Sequence, residues 1–461
     1  MRLRRSAHVT FEHSMLRTAT LCLIAFGAVM VYSASSGTTL LSDGGDSSYY
    51  LKRYLASAGI GLFLFSFLTR YGLGAIRRLS PAILALAFGG LVLVLLPGFG
   101  VEANGARRWL GAGTFQLQPS EIAKLALVLY AAAFVATHPG RARSLAGMRP
   151  LLLVGAALAG LVVIEPDLGT AIVICFSLGA ILVASGVKIR HLAMVAGALA
   201  FLTLVFALSE PYRRERLTSF LDPWADSHGA GFQSVQAMIA IGSGGPFGVG
   251  LGESVQKLFY LPEAHTDMIL AVIGEELGFA GIFGVLFLYG MIAYAGLRAA
   301  RKARDLYSKL LAAGITSVIL SQATINFFAV LGVLPLTGVP LPFISYGNSS
   351  LIVLLAAMGL LCNIAQQGAP VEANDRADKP ARRKRRRHLR LVDGGRTTVK
   401  RPSRQTGRAR AGKPRAAIRK LGHASSKKRA GALSDAKDRD RSRRHGRPRR
   451  AGAGDRRRAA G

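Results

Sequence analysis

Apolar stretches of about 18 to 25 residues recur along this 461-residue chain, and no other feature constrains its fold as tightly. At about 1.5 Å per residue, a helix of that length crosses a hydrocarbon layer of roughly 30 Å. The expected spans lie near Leu16 to Ser35, Tyr50 to Leu68, Pro81 to Phe99, Pro119 to Thr137, Pro150 to Ile164, Leu168 to Val187, Leu192 to Leu208, Met268 to Leu297, Leu310 to Leu334 and Ser345 to Ala365. The expected fold class is an all-α polytopic membrane protein of about ten transmembrane helices. Both termini are expected to be cytoplasmic, with a large extracellular loop between the seventh and eighth spans.

A formal charge of +34 on a chain that is 51% hydrophobic cannot describe one uniform body. Residues 370–461 hold about 33 Lys/Arg against about 8 Asp/Glu, so roughly +25 of the charge lies there. Beyond Gln367, runs such as Arg382-Arg383-Lys384-Arg385-Arg386-Arg387 sit among Gly, Ala, Ser and Pro. Such a segment buries too little apolar area to offset its ordering entropy, so a disordered basic C-terminal tail is expected. Against anionic lipids each cation is worth roughly 1 kcal/mol, which makes the membrane surface the expected partner of the tail. Nucleic acid is not expected, because aromatic side chains do not interleave the cations. Three regions result: an N-terminal cytoplasmic segment (1–14), a membrane domain (15–366) and the tail (367–461).

Arg2, Arg4 and Arg5 ahead of the first span, with small residues at Ser33-Ala34-Ser35, imitate a signal peptide. An even number of spans with a cytoplasmic tail requires that span to be retained. Cys22, Cys175 and Cys362 each fall inside an expected span, which leaves neither a disulfide framework nor a cysteine metal site.

With a cytoplasmic N-terminus, the inner loops carry Arg70, Arg77, Arg78, Arg141, Arg143, Arg149, Lys188, Arg190, Arg298, Arg301, Lys302, Arg304 and Lys309, the positive-inside pattern. Two outer clusters break it: Arg107-Arg108-Trp109 and Arg213-Arg214-Glu215-Arg216. One reading is an interfacial anchor, with arginines reaching headgroups and Trp109 in the aromatic belt. The other is an anionic ligand, since the planar guanidinium grips phosphate oxygens in pairs.

Carboxylates near the membrane are costly and call for a partner, a cavity or chemistry. Glu121 and Lys124, three residues apart on one helix face, are expected to form a structural ion pair. Glu165-Pro166-Asp167-Leu168-Gly169-Thr170 joins two spans, and Asp167 suits a cap on the second. Glu275 and Glu276 lie about two turns into the eighth span, where burial against polar neighbours is expected.

The longest outer segment ends in Tyr260-Leu261-Pro262-Glu263-Ala264-His265-Thr266-Asp267. Asp267, where the loop re-enters the membrane, suits either a helix cap or a general base that takes a proton from a hydroxyl. His265 and Asp267 lack the HExxH or serine-elbow context of a metal or nucleophilic site. The glycines from Gly242 to Gly252 follow no strand, so they suggest a flexible re-entrant or amphipathic element rather than a nucleotide loop.

Taken in order, these motifs resemble the SEDS family (shape, elongation, division and sporulation; the FtsW/RodA/SpoVE group) over residues 15–366. The resemblance rests on Gly105-Ala106-Arg107-Arg108-Trp109, Gln118-Pro119-Ser120-Glu121-Ile122-Ala123-Lys124, the Glu165 to Thr170 turn and Pro211 to Trp224. Leu261 to Asp267 with Gly274-Glu275-Glu276-Leu277, and Leu341-Pro342-Phe343-Ile344-Ser345-Tyr346-Gly347, complete it. It implies a peptidoglycan glycosyltransferase acting on lipid II and the growing glycan strand. By that analogy Asp267 activates the acceptor hydroxyl, and Arg107, Arg108, Trp109, Arg213, Arg216 and His265 bind substrate. Glu121, Lys124, Glu165, Asp167, Glu275, Glu276 and Ser345 would shape the cavity.

The wording around His265 looks more like the division branch than the elongation branch, which points to septal synthesis. The resemblance also implies a class B penicillin-binding transpeptidase and division-complex proteins as partners. No metal ligands are assigned and no cofactor is identified; a divalent cation, Mg or Mn, could assist the diphosphate, although the sequence shows no carboxylate cage for it. Asn348 stands where many relatives have glycine and is expected to take its positive-φ place. Thr337 stands where some division-type relatives have lysine. The rival readings are a lipid II flippase, which the clustering of polar groups at outer helix ends disfavours, and a membrane scaffold for the transpeptidase.

Overall fold

A computed structural model describes residues 10–42, 45–103, 106–112, 115–141, 145–188, 190, 192–194, 197, 219–229, 231–258 and 260–368. The chain divides into two units, Met1–Arg383 and Lys384–Gly461, and every described residue lies in the first. Arg213, Arg216, the basic tail and most of the expected span Leu192 to Leu208 lie outside the described residues.

The order of the main elements is α1 (Phe11–Ser42), α2 (Tyr49–Arg70), α3 (Leu73–Leu95), β1 (Gly100–Ala103), β2 (Ala106–Ala112), β3 (Phe115–Leu117), α4 (Pro119–Thr137), α5 (Leu145–Ile164), α6 (Leu168–Ala184), α7 (Phe232–Gly244), α8 (Ile269–Lys302), α9 (Leu306–Val330) and α10 (Asn348–Gln367). Among the described residues eight helices are long and apolar enough to cross a membrane, and α6 is a shorter apolar helix. The protein is thus a polytopic helical membrane protein. Helices α9 and α10 are the most enclosed of the spanning helices. Helix α9 packs on α4, α6 and α8, while α10 packs on α2.

Helix α3 begins at Leu73, eight residues before the expected Pro81. Proline removes one helical N–H, which orphans the carbonyl four residues earlier. Ser80 Oγ donates to that carbonyl, Arg77 O, at 2.9 Å, so the helix continues through Pro81. Helix α5 likewise starts ahead of Pro150.

The helical expectation holds for the membrane-crossing elements, with one addition outside them. Between α3 and α4 the chain forms an antiparallel sheet in the order β1-β2-β3, pairing Val101 with Trp109 and Leu110 with Leu117. Its strands have only 3 to 7 residues and little alternation of polarity, too little for a period-two signal. A bulge between Val101 and Glu102 shifts the register beside the arginines of β2.

Helix α8 is broken at Gly278 (φ 65°, ψ −161°), a conformation glycine adopts without steric cost. The glycine-rich segment after α7 docks into the break. Val249 and Gly250 N–H donate to the carbonyls of Glu275 and Glu276, and Phe279 and Ala280 N–H donate to Gly245 and Pro246. These four bonds supply partners for backbone groups that the break takes out of the helical ladder, as irregular backbone at membrane depth requires. A Cβ on Gly278 would stand 2.4 Å from Gly248 N, so the two segments approach as closely as glycine allows.

Both ends of the described chain meet at one end of the bundle. Thr10 Oγ1 donates to Ala365 O at 3.1 Å, and the Glu12 carboxylate pairs with Arg298 and Lys302 at 2.7 Å.

Candidate active site

At the opposite end, the turn from Leu261 to Met268 delivers Asp267 to the mouth of α8. Asp267 is half-buried, and the N-cap position of α8 is Met268 rather than Asp267. Asn326 on α9 donates through Nδ2 to Asp267 O (2.7 Å) and to Val339 O (2.9 Å), pinning the backbone of 267 to the loop that follows α9. Thr266 Oγ1 lies 3.2 Å from Asp267 Oδ1. Gly338, at φ 69°, approaches from the other side: a Cβ there would stand 3.9 Å from Asp267 Oδ2.

His265 packs its ring against Tyr50 (centroids 4.1 Å) and Tyr346 (5.6 Å), and its carbonyl accepts from Tyr346 N–H at 2.9 Å. Burial pushes the imidazole pKa down, against the opposing pull of Glu263, so the ring is neutral at pH 7. These rings form an aromatic group two residues from Asp267. Tyr50 entered the sequence reading only as the start of a span, and nothing in the sequence pairs it with Tyr346.

The loop from Leu341 to Gly347 is held by hydroxyls. Ser345 Oγ accepts from Leu341 N–H at 2.8 Å, Tyr54 OH donates to Phe343 O and Tyr289 OH to Pro342 O, both at 2.5 Å. These bonds hold Phe343 at φ 66°, a costly backbone for a residue with a Cβ. Asn348 corrects an expectation: it is the first residue of α10 and not among the positive-φ residues. Its amide accepts from Ser57 Oγ (2.9 Å) and donates to Tyr346 OH (3.3 Å).

The sheet holds Arg107, Arg108 and Trp109 on β2. Arg108 donates through Nε to Glu165 O (3.0 Å) and through Nη2 to Pro166 O (2.5 Å), clamping the turn between α5 and α6. Arg107 is exposed and Trp109 half-buried. Asp167 caps α6 through Thr170 N–H (3.0 Å) and accepts from Gln118 Nε2 (3.2 Å). The first turn of α6 meets the Thr337–Val339 loop, where a Cβ on Gly169 would clash with Val339. Contacts therefore run without a gap from Arg108 through the 165–169 turn and Val339 to Asn326 and Asp267.

Glu165 is 1% exposed and neither carboxyl oxygen accepts a hydrogen bond from protein. Burial raises its pKa from 4.5 to about 8, with Asp167 adding and the Arg108 guanidinium opposing. A carboxyl whose folded pKa exceeds its unfolded value holds its proton more tightly when folded. Its stabilising contribution is complete below about pH 4.5 and is lost as pH rises through about 8. Glu165→Gln is therefore expected to gain stability over wild type between about pH 5.5 and 8.5 in thermal unfolding; a pH-independent difference would rule this out.

Glu121 and Lys124 form the expected ion pair, 2.8 Å apart and 2% exposed each, in the first turns of α4. Glu275 and Glu276 belong to a separate buried network. Glu275 accepts from Ser254 Oγ (2.5 Å) and Val255 N–H (3.0 Å). Glu276 pairs with Lys257 Nζ (2.8 Å) and accepts from Ser33 Oγ (2.6 Å). Lys257 and Ser33 escaped the sequence reading, because their partner lies 19 and 243 residues away. The network fixes the segment leading into the Asp267 turn. Among the described residues no three His, Cys, Asp or Glu side chains form a metal cluster.

A family model described as "Cell cycle protein", FTSW_RODA_SPOVE, matches residues 13–369. The stage V sporulation protein E of Bacillus subtilis is 41% identical over 355 residues, covering 76% of this chain and 96% of that protein. A probable peptidoglycan glycosyltransferase FtsW of Thioalkalivibrio sulfidiphilus is 45% identical over 361 residues, 76% of this chain and 89% of that one. Among solved structures, a chain of a peptidoglycan synthase complex that coordinates polymerization and crosslinking superposes with a TM-score of 0.64 at 30% identity, covering 77% of this chain and 97% of that one. The rod shape determining protein RodA of Thermus thermophilus gives a TM-score of 0.57 at 29% identity, with 77% and 97% covered.

Proposed function

The chain belongs to the FtsW, RodA and SpoVE family of cell cycle proteins, and from that premise we propose that it polymerises lipid II into glycan strands at the outer face of the cytoplasmic membrane. It is a peptidoglycan glycosyltransferase in this reading, and the observation that carries it is Asp267: a half-buried carboxylate at a helix mouth, with its backbone pinned by Asn326 and an aromatic group alongside.

Asp267 takes the proton from the 4-hydroxyl of the acceptor N-acetylglucosamine as that oxygen attacks the anomeric carbon of the donor N-acetylmuramic acid. The bond to undecaprenyl diphosphate breaks on the opposite face, so the configuration inverts. His265, Tyr50 and Tyr346 offer ring faces and edges to a sugar. Arg107, Arg213 and Arg216 stabilise the departing diphosphate by charge-assisted hydrogen bonds. Arg108, with Nε and Nη2 engaged by backbone carbonyls, sets the shape of the turn that frames them. A divalent cation, Mg or Mn, would supply further charge neutralisation on the departing diphosphate.

The identity to FtsW relatives supports a septal role, and the likeness to the synthase complex supports a class B penicillin-binding transpeptidase as partner. Division-complex proteins and anionic lipids at residues 367–461 complete the proposed partner set. Purified chain with its cognate transpeptidase is expected to convert labelled lipid II into glycan ladders. No ladder, with lipid II instead translocated across liposome bilayers, would replace this reading with transport.

A further inference from the structure

At the end of the bundle remote from Asp267, α3 and α4 flank an open cavity of about 520 Å³. That volume falls within the roughly 300–1,000 Å³ typical of small-molecule sites. Arg77 and Arg78 from the first turns of α3 line it, and no Asp or Glu does. Neither arginine has a carboxylate partner among the described residues. Arg77 is held in place by Thr137 Oγ1 (3.3 Å) and by the ring of Tyr307, 5.3 Å beneath its guanidinium. The exposed Arg78 side chain also lines the cavity and has no hydrogen-bond or ion-pair partner among the described residues.

The other wall is a ladder of rings on α4. Tyr130, Phe134 and His138 follow at four-residue intervals, with centroids 6.1 and 5.4 Å apart. Below the arginines, Arg78, Ala82 and Leu86 also follow at four-residue intervals, and Ala82 and Leu86 are exposed on an outward face of α3. Two cations above an apolar stripe, in a cleft open at the edge of a membrane bundle, match one amphipathic ligand: an anionic head on a hydrocarbon chain.

We propose that the cavity between α3 and α4 is a binding site for an anionic phospholipid, its phosphate held by Arg77 and Arg78 and an acyl chain lying along Ala82 and Leu86. The guanidinium fork suits phosphate oxygens. The basic pocket lies between two spanning helices at the end expected to face the cytoplasm, the side on which basic pockets bind anionic headgroups. It is distinct from the proposed glycosyltransferase site, since α3 and α4 carry the sheet and Glu121 at their other ends.

Native mass spectrometry of the full chain in detergent, at high salt to screen the basic tail, tests this with dioleoylphosphatidylglycerol, dioleoylphosphatidylcholine and free glycerol phosphate. Wild type is expected to retain phosphatidylglycerol over phosphatidylcholine. Arg78→Gln, which breaks no hydrogen bond or ion pair among the described residues, should weaken that retention roughly tenfold, and Arg77→Gln/Arg78→Gln should erase the preference. Lys309→Gln, an exposed cation at the same end of the bundle, should leave it unchanged. Equal retention of both lipids, undiminished retention in Arg78→Gln, or an equal loss in Lys309→Gln would overturn the site. Displacement of the lipid by glycerol phosphate at matched concentration would assign it to free phosphate instead.

Discussion

Asp267→Asn is expected to lower the rate of glycan polymerisation by roughly 10²–10⁴-fold, the range associated with loss of a general base. The substitution is nearly isosteric, and the structure explains why it should spare the fold. Asn326 holds residue 267 through its backbone carbonyl, and Thr266 Oγ1 can still donate to a side-chain amide oxygen. Binding of substrate and transpeptidase should therefore persist while turnover is lost. Asp267→Glu offers a sharper geometric test, because it keeps the base but advances it by about one carbon–carbon bond. A misplacement of about 1 Å costs on the order of 10²-fold, so this variant should also be strongly impaired. Initial rates of ladder formation from labelled lipid II, at matched complex formation, decide the matter. If the Asn variant polymerises within a few-fold of wild type, the enzyme stands and Asp267 loses its role.

What the sequence disclosed and what it hid follow from how far each signal reaches along the chain. A spanning helix is written in consecutive residues, so eight of the expected spans reappear as long apolar helices. Helix edges depend on single hydrogen bonds. Pro81 looked like a helix start because only the structure shows Ser80 caring for the orphaned Arg77 carbonyl. The sheet escaped because its strands are too short to carry a period. Asp267, Glu165 and the Glu121–Lys124 pair stood out because ionised groups at membrane depth are costly wherever their partners lie. The partners themselves were not legible: Asn326 meets Asp267 across 59 residues and Gln118 meets Asp167 across 49. Glu275 and Glu276 were expected to be buried among polar groups, and they are. That their backbone carbonyls bridge a helix break to the Gly245–Gly250 segment follows from Gly278, which the sequence presents as one small residue among many.

Lys257→Met should be the most destabilising single change in the network behind the turn that carries Asp267. Lys257 Nζ is bonded at once to Glu276 Oε1 (2.8 Å), Gly252 O (2.7 Å) and Ser33 Oγ (3.2 Å), with Glu276 fully enclosed. Removing the cation leaves a buried carboxylate with only the Ser33 hydroxyl and strands the Gly252 carbonyl. Breaking one side of a buried pair costs about 3–5 kcal/mol, enough to lower the melting temperature by on the order of 5–10 °C. The effect reaches function, because residues 250–257 are tied to α8 by this pair and by Glu275, and they feed the turn that carries Asp267. Polymerisation should therefore fall in turnover more than in substrate affinity. Lys257→Met/Glu276→Gln removes both charges, and since replacing a buried pair by neutral groups of similar shape is often tolerated, it should recover most of the lost stability. Thermal unfolding of the single and double variants measures the coupling. Additive losses would mean that Lys257 acts through its bond to Gly252 alone, and that the charge on Glu276 has no part in holding the turn.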